Sequence, residues 1–250
     1  MNETITLIKG HRSIRKYKDT PIPDEHLKEI LLSGQAASTS SNIQAYSVIA
    51  IKDPEKKRKL AELSGNQQQI VESPVLLVWL ADVRKIQNAI RQHEDVELEQ
   101  NVELFLLGTI DATLAAQNAA IAAESLGYGI VYIGGIRNNP QEVTELLELP
   151  PLVYPVFGLC VGIPDQEPDL RPRLPLAAVY HEEVYSEAGL ADEIAAYDAI
   201  TKHYYATRKG GGRGGDQETV WSREMLRRFN SGRNRGHLRD YLSGQGFKLK

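Results

Sequence analysis

Blocks of apolar residues alternate with polar blocks along this chain, and their spacing predicts short strands between helices. Residues 46–52 are rich in β-branched side chains, and residues 74–81 are almost continuously apolar, so we expect a strand in each, the second buried on both faces. Residues 129–133 and 153–163 predict two further strands. Apolar positions at helical spacing predict helices over residues 4–9, 24–34, 54–63, 189–207, 219–230 and 236–244, and another that begins at Pro140. Asn139 and Glu142 predict a capping box at that last helix. Residues 65–69 are expected to form a polar turn, and residues 82–96 fit neither pattern.

The longest helical pattern runs from about residue 98 to residue 126, without proline. One stripe of the predicted helix consists of Leu104, Leu107, Ile110, Leu114, Asn118, Ile121 and Ser125, with alanine-rich faces around it. Such a helix is about 40 Å long. Because it is apolar over most of its circumference, we expect it in a core or at a subunit interface. Asp111, Gln117, Asn118 and Glu124 interrupt the apolar run and argue against a membrane span.

Composition narrows the class of protein. The chain has 250 residues, 42% of them hydrophobic and 25% charged, and a net charge of -4, so no overall basic field attracts nucleic acid. The N-terminus has no signal-peptide pattern, and the single cysteine, Cys160, supports no intrachain disulfide; a reducing cytoplasm is the expected compartment. We expect one domain over residues 1–250, with a C-terminal excursion over about 189–250 that carries a mobile Gly/Arg loop.

Basic and hydroxyl side chains gather in residues 10–17, which read Gly-His-Arg-Ser-Ile-Arg-Lys-Tyr. In an extended segment His11, Ser13 and Arg15 share one face, roughly 6–7 Å from each to the next, and Arg12 lies on the other. That row suits a long anionic ligand with a phosphate at one end and a polar ring at the other. A solvated basic turn is the alternative interpretation. The hydroxyl run Thr39-Ser40-Ser41 is a loop that can add ligand contacts.

More arginines follow in the C-terminal third of the chain. Arg171 and Arg173 flank a proline in a stiff segment, and together with His11 they could hold a dianionic phosphate. Residues 210–215 match G-x-G-x-x-G, but a predicted helix precedes them, so a Rossmann motif is rejected. Those residues are either a surface loop or a lid whose Arg208 and Arg213 contact an anionic substrate. The arginine-rich helices after residue 219 lack the interleaved aromatic residues of a single-strand nucleic-acid platform.

No hydrolytic triad or metal-ligand spacing of histidines is found, so enzyme chemistry would have to come from a cofactor. Several motifs together resemble the nitroreductase family, in particular its NADPH-dependent, oxygen-insensitive nitroreductase and flavin reductase branch. The matching segments cover essentially the whole chain: residues 10–15, 38–41, 117–119, 122–127, 131–135, 168–175, and Tyr204-Tyr205 with Arg208.

The resemblance implies an α+β fold, a mainly antiparallel sheet flanked by helices, in an obligate homodimer whose interface contains the long central helix. Two bound FMN molecules would lie at that interface. His11, Arg12, Ser13 and Arg15 would line FMN, with Arg15 near the pyrimidine edge, and Thr39, Ser40 and Ser41 would come from the other subunit. Gln67, Tyr132, Gly134 and Gly135 would contact the ring and ribityl chain. Arg171 and Arg173 would hold the FMN phosphate, and Arg208 and Arg213 the 2′-phosphate of NADPH. The family usually has lysine at the position of Arg171.

The implied activity is transfer of a hydride from NADPH to flavin, and then of two electrons to a second substrate, with ping-pong kinetics. Nitroaromatics, quinones, free flavin and chromate-like oxidants are the expected acceptors. Two other classes of protein stay open on the sequence. A non-catalytic FMN-binding or flavin-delivery protein would keep residues 10–15 and 171–173 without needing Arg208 and Arg213. A nucleic-acid-binding protein would use the basic C-terminal helices and carry no flavin.

Overall fold

A computed structural model describes residues 2–99, 101–208, 219–232 and 234–248. The described helices are α1 (Glu3–Lys9), α2 (Asp24–Gln35), α3 (Pro54–Leu63), α4 (Gln68–Glu72), α5 (Arg84–Arg91), α6 (Val102–Ser125), α7 (Pro140–Leu146), α8 (Leu190–Thr207), α9 (Trp221–Asn230) and α10 (Leu238–Gly244). The described strands are β1 (Tyr46–Ile51), β2 (Val75–Asp82), β3 (Gly129–Ile133) and β4 (Val153–Gly162).

The chain forms two compact units. Residues 1–166 and 235–250 make the first unit, and residues 167–234 make the second. The first unit contains the whole sheet, and α10 completes its core with the buried side chains of Tyr241 and Leu242. The second unit contains α8, α9 and the arginine-bearing proline segment.

The sheet has four strands in the order β1-β2-β4-β3, and every pairing is antiparallel. This confirms the expected α+β class. All eight residues of β2 are buried because both faces of the sheet are covered. Leu76 and Val78 point into one core and Leu77 and Trp79 into another, as the two-residue period of a strand requires.

The long helix α6 buries mainly its alanines. Ala112, Ala115, Ala116, Ala119, Ala120 and Ala123 are buried. Of the predicted stripe, Leu107 is buried with them, whereas Ile110 is 54% exposed and Leu114 is 43% exposed. Small side chains allow the helix to pack closely against its neighbours, and the stripe is divided between the core and the surface. By length and composition α6 could cross a membrane, but 44% of its most apolar stretch is buried inside the protein.

Four local expectations differ from the structure. The Asn139 side chain does not cap α7; its Nδ2 donates to the Leu63 carbonyl at 2.6 Å instead, so the capping box is absent. The expected polar turn at residues 65–69 overlaps α4, and the ambiguous stretch at 82–96 contains α5. The long helix starts at Val102 rather than at residue 98. The other predicted helices and all four strands are confirmed within a few residues.

Candidate functional site

The basic segment near the N-terminus lies along β3. Ser13 forms a parallel bridge with Ile130, and the Ile14 N–H donates to the Ile130 carbonyl at 2.9 Å. Ile14 is buried in the core, which anchors the segment. Arg12 and Arg15, which the alternation assigns to opposite faces, are both exposed, and Ile14 between them is buried. Arg15 still reaches back along the segment, and its Nη1 donates to the Ser13 carbonyl at 3.3 Å.

His11 is held by a carboxylate from α6. Its Nδ1 lies 2.6 Å from Oε1 of Glu124, whose side chain is only 13% exposed. A carboxylate accepts a hydrogen bond from the Nδ1–H group, so Nε2 of the half-buried ring is not used in this contact. Glu124 therefore fixes both the orientation of His11 and the nitrogen that it offers.

Tyr132 on β3 is held by the same helix. Its hydroxyl donates to Gln117 Oε1 at 3.2 Å, and its ring makes an edge contact with Phe157. Burial, with a further contribution from the Glu124 carboxylate, raises the pKa of Tyr132, so the phenol stays protonated and acts as a donor. Gln117 and Glu124 are seven residues apart and thus share one face of α6.

Gly135 allows Gln67 to lie beside the turn that follows β3. A Cβ atom at Gly135 would be 2.2 Å from Gln67 Nε2 and 2.3 Å from the Ser64 carbonyl oxygen, so only glycine fits. Gln67 Nε2 donates to that carbonyl at 2.9 Å, and Gln69 Nε2 donates to Gln67 Oε1 at 2.7 Å. The glycine pair at 134–135 and Gln67 are thus brought together.

The hydroxyl run lies in a loop over residues 39–45 that is attached elsewhere on α6. Asp111 accepts the Ser40 N–H at 3.1 Å and the Ala45 N–H at 2.9 Å. Thr39 is half-buried, whereas Ser40 and Ser41 are exposed. Asp111 and Glu124 are thirteen residues apart in α6, which is about 20 Å along the helix. Within one chain, the attachment of this loop is therefore far from the His11 contact.

The second unit holds the arginine pair by means of a tyrosine on α8. The Tyr197 hydroxyl donates to the Pro172 carbonyl at 2.9 Å, between the exposed Arg171 and Arg173. Burial raises the pKa of Tyr197, although the two guanidinium groups partly oppose the shift. The Tyr197 ring makes an edge contact with Trp221 at 5.7 Å between centroids.

Arg208 follows α8 directly and lies against two aromatic rings. Its guanidinium carbon is 5.1 Å from the centroid of Tyr205 and 5.9 Å from that of Tyr204. Such cation–π contacts restrict the position of a guanidinium. Arg213, the other residue expected to contact NADPH, lies outside the described residues.

Comparison with known proteins gives the family. A model described as the nitroreductase family matches residues 8–163, and one described as the C-terminal domain of that family matches residues 171–250. The chain belongs to the nitroreductase family. It is 45% identical to an FMN reductase (NADPH) of Bacillus subtilis over 251 residues, with 99% of both chains covered. It is 41% identical over 252 residues to an oxygen-insensitive NADPH nitroreductase of Salmonella typhimurium, with 100% of both covered. Among solved structures, the hypothetical oxidoreductase YcnD of Bacillus subtilis superposes with a TM-score of 0.93 at 39% identity, covering 100% of both chains.

The chemistry of this nitroreductase's candidate residues fits FMN. In the first unit they are donors for the polar edge of a flavin ring: the Arg15 guanidinium, the Ser13 hydroxyl and the imidazole of His11. In the second unit Arg171 and Arg173 are two exposed cations on either side of a proline, a chemistry suited to a phosphate.

Sequence analysis of this nitroreductase missed the residues that hold the site. Asp111 was recognised only as an interruption of an apolar helix. Gln117 and Glu124 also lie in segments that resemble the family, but no contact was assigned to them, and Tyr197 was not singled out. A buried polar group needs a partner, so the carboxylate of Asp111 within an apolar helix is itself a signal for a contact with a distant segment.

Proposed function

We propose that this nitroreductase is an NADPH-dependent FMN oxidoreductase. It transfers a hydride from NADPH to bound flavin and then passes two electrons to nitroaromatics, quinones, free flavin or chromate-like oxidants. The observation that carries the proposal is the ordering of the donor-rich segment at residues 11–15, which is fixed on β3 by the Ile14 backbone and by the Glu124–His11 contact. The similarity to an NADPH-dependent FMN reductase over nearly the full length of both chains supports it.

In this proposal the first unit orients the flavin ring. His11, Arg12, Ser13 and Arg15 line the cofactor, and the Arg15 guanidinium at the pyrimidine edge favours negative charge on the reduced ring. Gln67, Tyr132, Gly134 and Gly135 contact the ring and the ribityl chain. The close approach at Gly135 lets Gln67 pack against the turn after β3, because no side chain projects there.

The second unit supplies charge in this proposal. Arg171 and Arg173 bind the FMN phosphate, while Arg208 and Arg213 bind the 2′-phosphate of NADPH and give preference over NADH. Bound FMN supplies the hydride-accepting chemistry. The chain itself holds the two substrates in the orientation that hydride transfer needs. Because the reactive group belongs to the cofactor, no side-chain acid or base is required.

We further propose a cytoplasmic homodimer in which α6 forms the interface. Leu106, Ile110 and Leu114 recur every four residues and are each more than 40% exposed, which leaves an apolar stripe uncovered in a single chain. A second copy covering that stripe would also carry its Thr39–Ser41 loop to the FMN of its partner. The attachment of the loop about 20 Å along α6 from the His11 contact is consistent with such a role in the other subunit.

An absorption spectrum of the purified protein, followed by anaerobic addition of NADPH, tests the activity. We expect a flavin band that bleaches with NADPH and returns on addition of a nitroaromatic or a quinone. A yellow protein that NADPH does not bleach would indicate the alternative, a non-catalytic FMN-binding or flavin-delivery protein. A colourless protein that neither takes up FMN nor oxidises NADPH would overturn both.

Mixed dimers test whether the loop acts on the partner's flavin. One subunit carries Arg15→Ala, and the other carries Ser40→Ala with Ser41→Ala. If the loop acts across the interface, the mixed dimer has one intact site and one doubly defective site, so about half of the wild-type activity is expected. If it acts within its own chain, each site has one defect and no activity is recovered. A monomer by sedimentation would remove the dimer proposal altogether.

A further inference from the structure

We infer that Asp111 is a positioning residue for the cofactor: it holds the 39–45 loop in the conformation that presents Thr39, Ser40 and Ser41 to FMN. This inference rests on the proposed function, because it takes that loop to be part of the FMN site. Asp111 touches no residue assigned to the flavin ring. It would act only through the loop backbone.

The first observation is a fully buried carboxylate that is used on both oxygens. Asp111 has no exposed surface, and its Oδ1 and Oδ2 accept the N–H groups of Ser40 and Ala45. A carboxylate is expensive to bury and is retained where it is strongly hydrogen-bonded. The two bonds go to the first and the last residue of the segment 40–45, so Asp111 holds the two ends of this segment together.

The second observation is the backbone conformation between those two ends. Ser41, Asn42 and Gln44 have φ angles of 47°, 59° and 57°, in the left-handed region that residues with a side chain rarely adopt. Three such residues within four positions do not hold this conformation by themselves. Within the loop, the Ile43 N–H donates to the Ser40 carbonyl at 2.8 Å, the Asn42 N–H donates to the Thr39 carbonyl at 3.4 Å, and the Gln44 side chain donates to Asn42. External anchoring comes from the Asp82 N–H, which donates to the Ala45 carbonyl at 2.9 Å, and from Asp111, the side chain that bonds both ends of the segment.

The third observation is a glycine one turn before Asp111. A Cβ atom at Gly108 would lie 3.3 Å from the Ala45 carbonyl oxygen and 3.0 Å from Ala81 Cβ. Gly108 therefore lets α6 come close enough to the loop for Asp111 to reach both N–H groups. Gly108 and Asp111 act together as a docking point for the loop.

Asp111→Asn is the direct test, since an amide keeps the size of the carboxylate but can accept at only one of its two terminal atoms. One loop N–H then faces an NH₂ group. We expect the dissociation constant of FMN, measured on apoprotein by quenching of flavin fluorescence, to rise about tenfold or more. Thermal melts of the same apoproteins measure stability separately.

Asp82→Asn is the matched control. Asp82 is also a buried carboxylate that accepts two bonds, from the Ser47 hydroxyl at 2.5 Å and the Lys85 N–H at 3.3 Å, but neither donor belongs to residues 39–41. Both variants should lower the melting temperature, whereas only Asp111→Asn should weaken FMN binding. Equal FMN affinity in the two variants would reduce Asp111 to a structural residue and overturn the inference.

The Ser40→Ala, Ser41→Ala double variant separates this inference from the proposed function. If that variant weakens FMN binding and Asp111→Asn does not, the loop contacts FMN but Asp111 does not position it. If wild-type protein binds no FMN, the proposed function itself has failed. Should Asp111→Asn not fold, Gly108→Ala replaces it, because the added methyl group pushes the loop away from α6. Wild-type FMN affinity in folded Gly108→Ala would then count against the inference.

Discussion

The two units of this protein hold their candidate ligand-binding groups by different means. In the first unit, His11 is fixed by a carboxylate and the 39–45 loop by Asp111, while Gln67 fits against a glycine that no other residue could replace. In the second unit, Arg171 and Arg173 are exposed, and what restrains them is the Tyr197 contact with the proline between them. In the proposed function, the first unit controls the orientation of the ligand, and the second supplies charge.

This difference predicts how substitutions in each unit respond to the ligand. The arginines of the proline segment at residues 171–173 can bind a phosphate in any position where its oxygens lie within hydrogen-bonding distance. Oriented donors recognise a particular ring edge and lose their effect after small displacements. The loss of affinity caused by substitutions in the second unit should therefore depend on whether the ligand carries a phosphate.

The double substitution Arg171→Ala, Arg173→Ala should have the largest effect on FMN affinity. Each charge-assisted hydrogen bond contributes about 1.5–3 kcal/mol, so we expect the dissociation constant of FMN to rise at least about 100-fold. Riboflavin, which has the same ring without the phosphate, is the control ligand, and its affinity should not change. Equal weakening of FMN and riboflavin would mean that these arginines support the ring site and would break the comparison.

Arg208→Ala should act on the reductant rather than on the flavin. Loss of the contact with a 2′-phosphate should raise KM for NADPH about 30-fold and leave KM for NADH within about twofold. Steady-state kinetics with both reductants measure this, and Arg223→Ala, an exposed arginine on α9, is the control variant. If KM rises equally for both reductants, Arg208 does not read the 2′-phosphate.

The sequence predicted the elements well and their partners poorly. Strands such as β2 could be recognised because an unbroken apolar run has few other stable conformations. The inward face of α6 could not, because the helix is apolar nearly all round, and the close packing of small alanines against the sheet decides which side is buried.

The candidate site shows the same limit. His11 and the hydroxyl run are visible as local clusters of unusual composition. Their supports are not, since Glu124 is 113 residues from His11 and Asp111 is 71 residues from Ser40 in the chain. Local spacing carries no information about such long-range pairs. The apolar circumference of α6 indicated that this helix has partners, but not which segments its polar side chains contact.

Glu124→Gln tests the orienting role of the first unit. The amide can still accept from His11 but lacks the charge, and hydrogen bonds to charged groups are the stronger ones, so FMN affinity should fall about tenfold. Because the effect passes through His11, the same change in a His11→Ala background should have almost no further effect. Glu103→Gln, on the exposed first turn of the same helix, is the control. If Glu124→Gln lowers FMN affinity by the same factor in the His11→Ala background as in the wild-type protein, Glu124 acts independently of His11.

Tyr197→Phe should have the smallest effect and makes the most specific test of the second unit. The change removes the hydroxyl that donates to Pro172 but keeps the ring against Trp221. A neutral hydrogen bond contributes about 1 kcal/mol, so FMN affinity should fall about fivefold, and riboflavin affinity should stay constant. Tyr185→Phe, at a tyrosine that is 71% exposed, controls for the loss of a hydroxyl in the same unit. If Tyr197→Phe weakens riboflavin as much as FMN, the tyrosine does more than restrain the arginines. The division between an orienting unit and a charge-supplying unit would then be wrong at the contact that defines it.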